Sequence, residues 1–405
     1  MSKTPKQQFN RSARNHRRST RSGDKTEFSG GKTEFTEQQG ILEMHTKGYG
    51  FLRQRDRGYE KTESDPFVSQ SVARRHDLRQ GNYIVGTAQD GRMVSITQID
   101  ERPVGKYVRA GSLDHLIPTN PTRRLHLEYP GAPTSMRMLD LLCPIGFGQR
   151  ALIAAPPRAG KTTLLQQIGH SITSNHPEAK TIALLVDERP EEITDFQDDL
   201  PIEIFASSLD SEIANHVRQS RIALDRCHRL VEQGHDVVLL VDSLTRMTRA
   251  YNKLPGPSNM MGPGGLRIDA MQQPRKLFAS ARAFKEFEGS LTIIATVLIG
   301  TNNRMDEVIF REFKGTGNTD IVLDQDLADS NIWPALDLRQ SATRRSEGLQ
   351  DPTTHSAAKL LKRSLLSMSS ADAIQSLTCK LDQFGSNDDF VSLIHQSTAS
   401  RASVE

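Results

Sequence analysis

Ala-Leu-Ile-Ala-Ala-Pro-Pro-Arg-Ala-Gly-Lys-Thr-Thr-Leu-Leu-Gln, residues 151–166, begins as a buried strand begins, turns through Pro156, Pro157 and Gly160, and resumes from Thr162 with helix formers. Gly160-Lys161-Thr162 stands where a phosphate-binding loop carries its Gly-Lys-Thr. The backbone N–H groups of such a turn and of the helix it opens converge on one spot, and the helix dipole favours phosphate there. Ala159, Gly160 and Thr163 would complete the cradle. Lys161 would add a point charge on the β- and γ-phosphates of ATP, and the Thr162 hydroxyl a ligand for Mg²⁺. The strict pattern fails at one position, because Ala155 stands where the first Gly is usual.

Working outward, the chain alternates β and α patterns, which predicts a parallel sheet with helices on its faces. The run Thr181-Ile182-Ala183-Leu184-Leu185-Val186 ends in Asp187-Glu188-Arg189-Pro190. Acids just past the carboxyl end of a strand lie in the crevice where such sheets bind ligands. Glu188 there could orient or deprotonate an attacking water, or it could simply cap a surface helix. A second run, Val237-Val238-Leu239-Leu240-Val241, ends in Asp242, about 80 residues after the loop, as a Walker B carboxylate that holds Mg²⁺ does. Two polar loops follow, over 253–267 and 300–304. From composition alone they read as surface loops, although loops near a nucleotide can also sense its state.

Upstream, Gly48-Tyr49-Gly50-Phe51-Leu52-Arg53, then Asp65-Pro66-Phe67-Val68, then Asn82-Tyr83-Ile84-Val85-Gly86 read as short strands with glycine turns, the pattern of a small β-barrel. Tyr49 and Phe51, two apart on one strand, face the same way. With Phe67 from a neighbouring strand they would form a stacking platform for unpaired bases, and Arg53 would follow the backbone of single-stranded RNA. The glycines between the aromatics are expected to keep that surface clear. The alternative is that these rings are barrel core.

The predicted organisation is a basic arm over 1–39, an OB-fold or cold-shock-like barrel over 40–104, a proline-bearing connector over 105–140, an α/β P-loop core over 141–352 and a helical segment over 353–405. Residues 1–25 hold eight Lys and Arg against Asp24 alone, and the arm lacks aliphatics, so it is expected to be disordered. It is either a nucleic-acid-binding arm or a solubilising tail. No apolar run approaches the roughly 20 residues of a membrane span. No secretory signal is visible, and Cys143, Cys227 and Cys379 lack metal spacing, which fits a cytoplasmic protein.

Taken together, these blocks resemble the bacterial transcription termination factor Rho family. The likeness runs from about Gly40 to about Asp389 and includes Asp242-Ser243-Leu244-Thr245-Arg246-Met247-Thr248-Arg249, Gly289-Ser290-Leu291-Thr292 and Glu312-Phe313-Lys314-Gly315-Thr316-Gly317-Asn318. It accounts for Ala155, since the family's phosphate loop also lacks the first Gly. The resemblance implies a RecA-like P-loop ATPase core preceded by the barrel. It implies a homohexameric ring that binds nascent RNA, translocates 5′ to 3′ on ATP and Mg²⁺, and meets RNA polymerase and accessory elongation factors. It makes Tyr49, Phe51 and Phe67 the primary RNA site, Arg158 a phosphate contact beside Lys161 and Thr162, Glu188 the catalytic acid/base supported by Arg189, and Arg344 an arginine finger reaching into the neighbouring subunit. Trp333 would lie against adenine. The loops at 253–267 and 300–304, with Met261 and Arg304, would line the pore and hold a second RNA site.

The chain departs from the family at several points. Ser258-Asn259-Met260 replaces Ser-Gly-Lys in the first pore loop, Arg267 stands where an acid is common, and Ala342 where Gly is usual. The basic arm stands in place of the helical part that usually precedes the barrel. Two rivals share some of these motifs: another RecA-type motor, for protein export or rotation, and an RNA-binding protein with a vestigial nucleotide site.

Overall fold

The computed structural model describes residues 35–256 and 260–402, with side chains to 396. The arm up to residue 34 and the Ser258-Asn259 substitution in the pore loop lie outside the described residues.

The barrel comprises β1 (Phe35–Met44), β2 (Gly50–Arg53), β3 (Phe67–Val68), β4 (Tyr83–Gln89), β5 (Arg92–Ile99) and β6 (Arg102–Pro103), with α1 (Gln70–Arg75) after β3. The order is β3-β2-β1-β4-β5-β6, and a β3–β5 pairing closes it. Its core is Leu42, Leu52, Val68, Ile84, Met93, Ile96 and Ile99. The barrel begins five residues earlier than the expected boundary at 40, because residues 35–39 belong to β1 and pair with 85–89 of β4. That half of β1 is polar and mostly exposed, so its strand character comes from backbone pairing and leaves no apolar alternation to read.

The second part is built on β7 (Arg150–Ala155), β8 (Lys180–Glu188), β9 (Glu203–Ser208), β10 (Asp236–Asp242), β11 (Ser290–Leu298), β12 (Thr319–Val322) and β13 (Ala342–Thr343). They lie in the order β9-β8-β10-β11-β7-β12-β13, parallel except for the last. Strands covered on both faces read as continuous apolar runs, and β7 shows why. Ala151, Ile153 and Ala155 join the apolar cluster on one face of the sheet, while Leu152 and Ala154 join the cluster on the other. Helices α2 (Thr134–Leu142), α3 (Lys161–Asn175), α4 (Pro190–Asp199), α5 (Ile213–Glu232), α6 (Leu244–Lys253), α7 (Gln272–Ala279), α8 (Arg304–Lys314) and α9 (Gln325–Asp329) surround it. The connector expected to run to 140 ends at Thr134, where α2 begins and buries Met136, Met138, Leu139 and Leu141. Helices α10 (Pro352–Leu365), α11 (Ser370–Leu381) and α12 (Asn387–Ala402) follow.

The barrel is keyed onto α5 and β9. Tyr59 stacks on Phe205 with centroids 4.5 Å apart and donates its hydroxyl to Glu203 at 3.0 Å. Arg226 of α5 sits 3.0 Å from Asp100 of the barrel, and Arg218 of α5 donates to Glu43 of β1 at 3.0 Å.

Candidate nucleotide and RNA sites

At the carboxyl end of β7 the chain turns through Arg158 at φ 63° and Gly160 at φ 84° and enters α3 at Lys161. Gly160 is needed twice over. Its φ disfavours side chains, and a Cβ there would meet the Trp333 ring at 3.0 Å. Trp333 is half-exposed and, with Arg158, Thr163, Arg189 and Arg246, lines a cleft of about 970 Å³ over the loop.

Lys161 Nζ lies 2.6 and 2.7 Å from the two Asp242 oxygens, 3.2 Å from Glu188 Oε1 and 3.1 Å from Thr162 Oγ1. Thr162 Oγ1 donates to Asp242 at 3.0 Å, and Thr296 Oγ1 donates to it at 2.7 Å. Asp242 is fully buried and Glu188 nearly so. Burial and the Asp242 charge push the Glu188 carboxyl up to about 7, against the pull of Lys161 and Arg246. Burial works against the Lys161 ammonium, but Asp242 and Glu188 hold its pKa above the usual value. Glu188 Oε2 lies 3.2 Å from Arg246 Nη2 in an ion pair, yet is buried without a hydrogen bond. It therefore has a lone pair to offer. The donor set of Thr162 and Asp242 beside that orphaned oxygen suits a hard cation with oxygen ligands.

Sequence reading missed Arg246 and Thr296. Arg246 stands four residues after Asp242 on α6, a spacing that could have flagged it, whereas Thr296 needs the strand order. Arg344 is exposed, is not among the cleft's lining residues, and follows the β12–β13 pairing.

On the barrel, Tyr49, Phe51 and Phe67 are brought together. Their centroids lie 5.5 to 6.0 Å apart, and all three rings are half-exposed. His45 adds a fourth ring, stacked on Tyr49 at 4.6 Å, and Arg92 lies 6.0 Å from the centre of Phe67. Two expectations are corrected. Gly50 does not serve to clear the surface: a Cβ there would come within 2.7 Å of the Glu43 carbonyl and of the Leu42 side chain, so the glycine allows β2 to approach β1. Arg53 does not stand free to follow a phosphate backbone. It is 6% exposed, bonded to Asp65 and, at 2.5 Å, to Glu43, with its guanidinium 5.3 Å from the Phe51 ring centre. It supports the platform from beneath.

Met261 and Arg304 are exposed, and Met261 bridges to Arg267. Arg267 itself is buried, paired to Asp269 at 3.0 Å and donating to the Leu254 and Tyr251 carbonyls, so it clamps the base of its loop.

Residues 38–102 match the Rho termination factor, RNA-binding domain family, and residues 135–343 match the ATP synthase alpha/beta family, nucleotide-binding domain. The chain is 43% identical over 362 residues to the transcription termination factor Rho of Cereibacter sphaeroides, covering 87% of this chain and 85% of that one. The chain belongs to the transcription termination factor Rho family. The Rho of Thermotoga maritima is 40% identical over 368 residues, covering 89% and 86% of the two chains. Among solved structures, an ATPase of the type III secretion system of pathogenic bacteria superposes with a TM-score of 0.54 at 26% identity, over 63% of this chain and 71% of that one. The ATP synthase subunit NeqB of Nanoarcheaum equitans gives 0.54 at 21% identity over 62% of each chain, a likeness of fold. In Rho-family terms, the barrel is an RNA-binding domain and the second part a RecA-like, ATP-hydrolysing core. Among the described residues no helix is long and apolar enough to cross a membrane.

Proposed function

We propose that this Rho-family chain is an RNA-dependent ATPase and helicase. It would act as a hexameric ring in the cytoplasm, moving 5′ to 3′ on nascent RNA and releasing it from RNA polymerase with accessory elongation factors. The observation that carries this reading is the half-exposed Tyr49–Phe51–Phe67 platform in the same compact unit as the Lys161–Glu188–Asp242 cluster. A protein-export or rotary motor, the class of the structural neighbours, has no use for a surface on which bases stack. A vestigial nucleotide site would have no need to bury two carboxylates around Lys161.

In the reaction, Lys161, Arg158 and the loop backbone bind the phosphates, and Trp333 stacks on the base. Thr162 and Asp242 would hold Mg²⁺, which when bound supplies charge neutralisation of the β- and γ-phosphate oxygens. Glu188 takes the proton of the attacking water through its orphaned oxygen, and Arg189 supports the site. Arg344 serves the neighbouring subunit's cleft, which is why a ring is required.

The test is ATP hydrolysis with and without a pyrimidine-rich single-stranded RNA. Strong stimulation is expected. Hydrolysis indifferent to RNA would favour another RecA-type motor, and RNA binding without hydrolysis would favour the vestigial reading.

A further inference from the structure

Strand β8 does not run regularly into the site. Its register against β9 slips between Val186 and Glu188, and Asp187, in the slip, sits at φ 58°. Asp adopts that conformation more readily than most non-glycine residues, and here several contacts hold it there. An extra residue in one strand re-aims the side chains on either side of it. Two adjacent acids lie at this slip. Glu188 turns to Lys161 in the nucleotide cluster, while Asp187 turns to His216, in the first turn of α5.

The enforcement is visible on three sides. Arg246 Nη1 donates to the Asp187 carbonyl, and Leu209 N donates to the Glu188 carbonyl at 2.9 Å. On the third side is His216, 4% exposed and outside the nucleotide cleft. Its Nδ1 lies 2.8 Å from Ser207 Oγ, and its Nε2 lies 3.7 Å from Asp187 Oδ1. Burial holds this imidazole below its usual pKa, with Asp187 opposing and Lys253 reinforcing. A carboxylate can only accept, whereas a hydroxyl can donate. The consistent tautomer therefore takes the Ser207 proton at Nδ1 and points Nε2–H at Asp187. The helix that holds His216 is also fixed by the barrel, through Arg218 to Glu43 at 3.0 Å and Gln219 to the Gly58 carbonyl at 3.0 Å.

We propose that His216 is a positioning residue for ATP hydrolysis: anchored on Ser207, its ring presents Nε2–H to the Asp187 carboxylate across 3.7 Å, a charge–dipole contact longer than a hydrogen bond, and so backs the bulge beside Glu188. This rests on the reading of Glu188 as the base. His216 touches neither nucleotide nor water and acts only through Asp187.

The experiment exploits the two ring nitrogens. In the assembled full-length protein with Mg-ATP and RNA, His216→Gln keeps an amide N–H near the Nε2 position. His216→Asn reaches only as far as Nδ1 and Ser207. We expect His216→Asn to lower kcat between about ten- and a hundredfold, the scale of a misplaced catalytic group, with KM for ATP unchanged, and His216→Gln to retain most of kcat. Equal kcat for the two variants, whether both normal or both reduced in step with melting temperature, overturns the proposal. Asp187→Ala carries the test if the Asn variant does not fold: it should show the same loss of kcat at constant KM, and normal turnover overturns the proposal. Glu188→Gln separates the two readings. If it turns over normally, the base assignment fails. If it is inactive while His216→Asn is normal, only the positioning role fails.

Discussion

Lys161 Nζ lies 2.6 Å from Asp242 Oδ1, and Asp242 has no exposure to solvent. The phosphate-loop cation and the Walker B carboxylate are thus a buried ion pair that also draws in Glu188 at 3.2 Å. Such a pair contributes little against an apolar replacement, but losing one member leaves a buried charge uncompensated.

Lys161→Ala is therefore expected to abolish ATP turnover and also to destabilise the fold, by about 3–5 kcal/mol from the exposed penalty on Asp242. Adding Asp242→Asn should recover most of that stability and none of the activity. Thermal unfolding of the single and double variants checks this. A single variant as stable as the parent would mean that water reaches Asp242.

Glu188 gives a pH dependence. Its carboxyl is pushed up to about 7 from an ordinary 4.5, first by burial and then by Asp242. The folded chain thus binds more protons at this site than the unfolded chain between those two values. Stability from this group is fully present below 4.5 and is lost as pH rises towards 7. Activity runs the other way, because the base must be ionised, so kcat should climb through the neutral range. Arg246→Ala removes one of the cations that favour the ionised form, and should move the acid limb of the kcat profile to higher pH. An unmoved limb would assign that limb to another group.

Trp333 borders the cleft over Gly160 without touching the Lys161 cluster, so its contribution should be the same in ground and transition states. Trp333→Ala is expected to raise KM for ATP about two- to twelvefold, from loss of an aromatic stack worth about 0.5–1.5 kcal/mol, with kcat nearly unchanged. A fall in kcat at constant KM would place the ring in the chemistry.

Much of this site was legible in the chain. Buried parallel strands read as apolar runs, and the residues that follow them, Lys161, Glu188 and Asp242, sit where the sheet's carboxyl edge must place them. What stayed hidden depends on pairing across the sheet. Thr296 bonds Asp242 only because β11 lies beside β10. Residues 35–39 look like the end of a polar arm, and become strand only through β4. The bulge at Asp187 leaves no mark either, because the apolar run ends at Val186 and both acids read as lying beyond the strand, whereas the strand continues to Glu188. Arg53 was misread for a related reason. An arginine next to an aromatic pair suggests a nucleic-acid contact, but Glu43 and Asp65, far apart in sequence, enclose it.

That correction makes the RNA site testable in two separate ways. Tyr49→Ala with Phe51→Ala should weaken single-stranded RNA binding by about 1–3 kcal/mol per lost stack, with circular dichroism unchanged. Each phosphate contact removed from a nucleic-acid interface flattens the salt dependence of binding by about one unit of slope in log K against log salt. Arg53 is held by two carboxylates beneath Phe51, so Arg53→Gln should lower affinity and barrel stability by loosening the platform while leaving that slope as it was. A slope reduced by about one would mean that Arg53 leaves Glu43 and Asp65 to take a phosphate when RNA binds, and would restore the role its sequence position suggests.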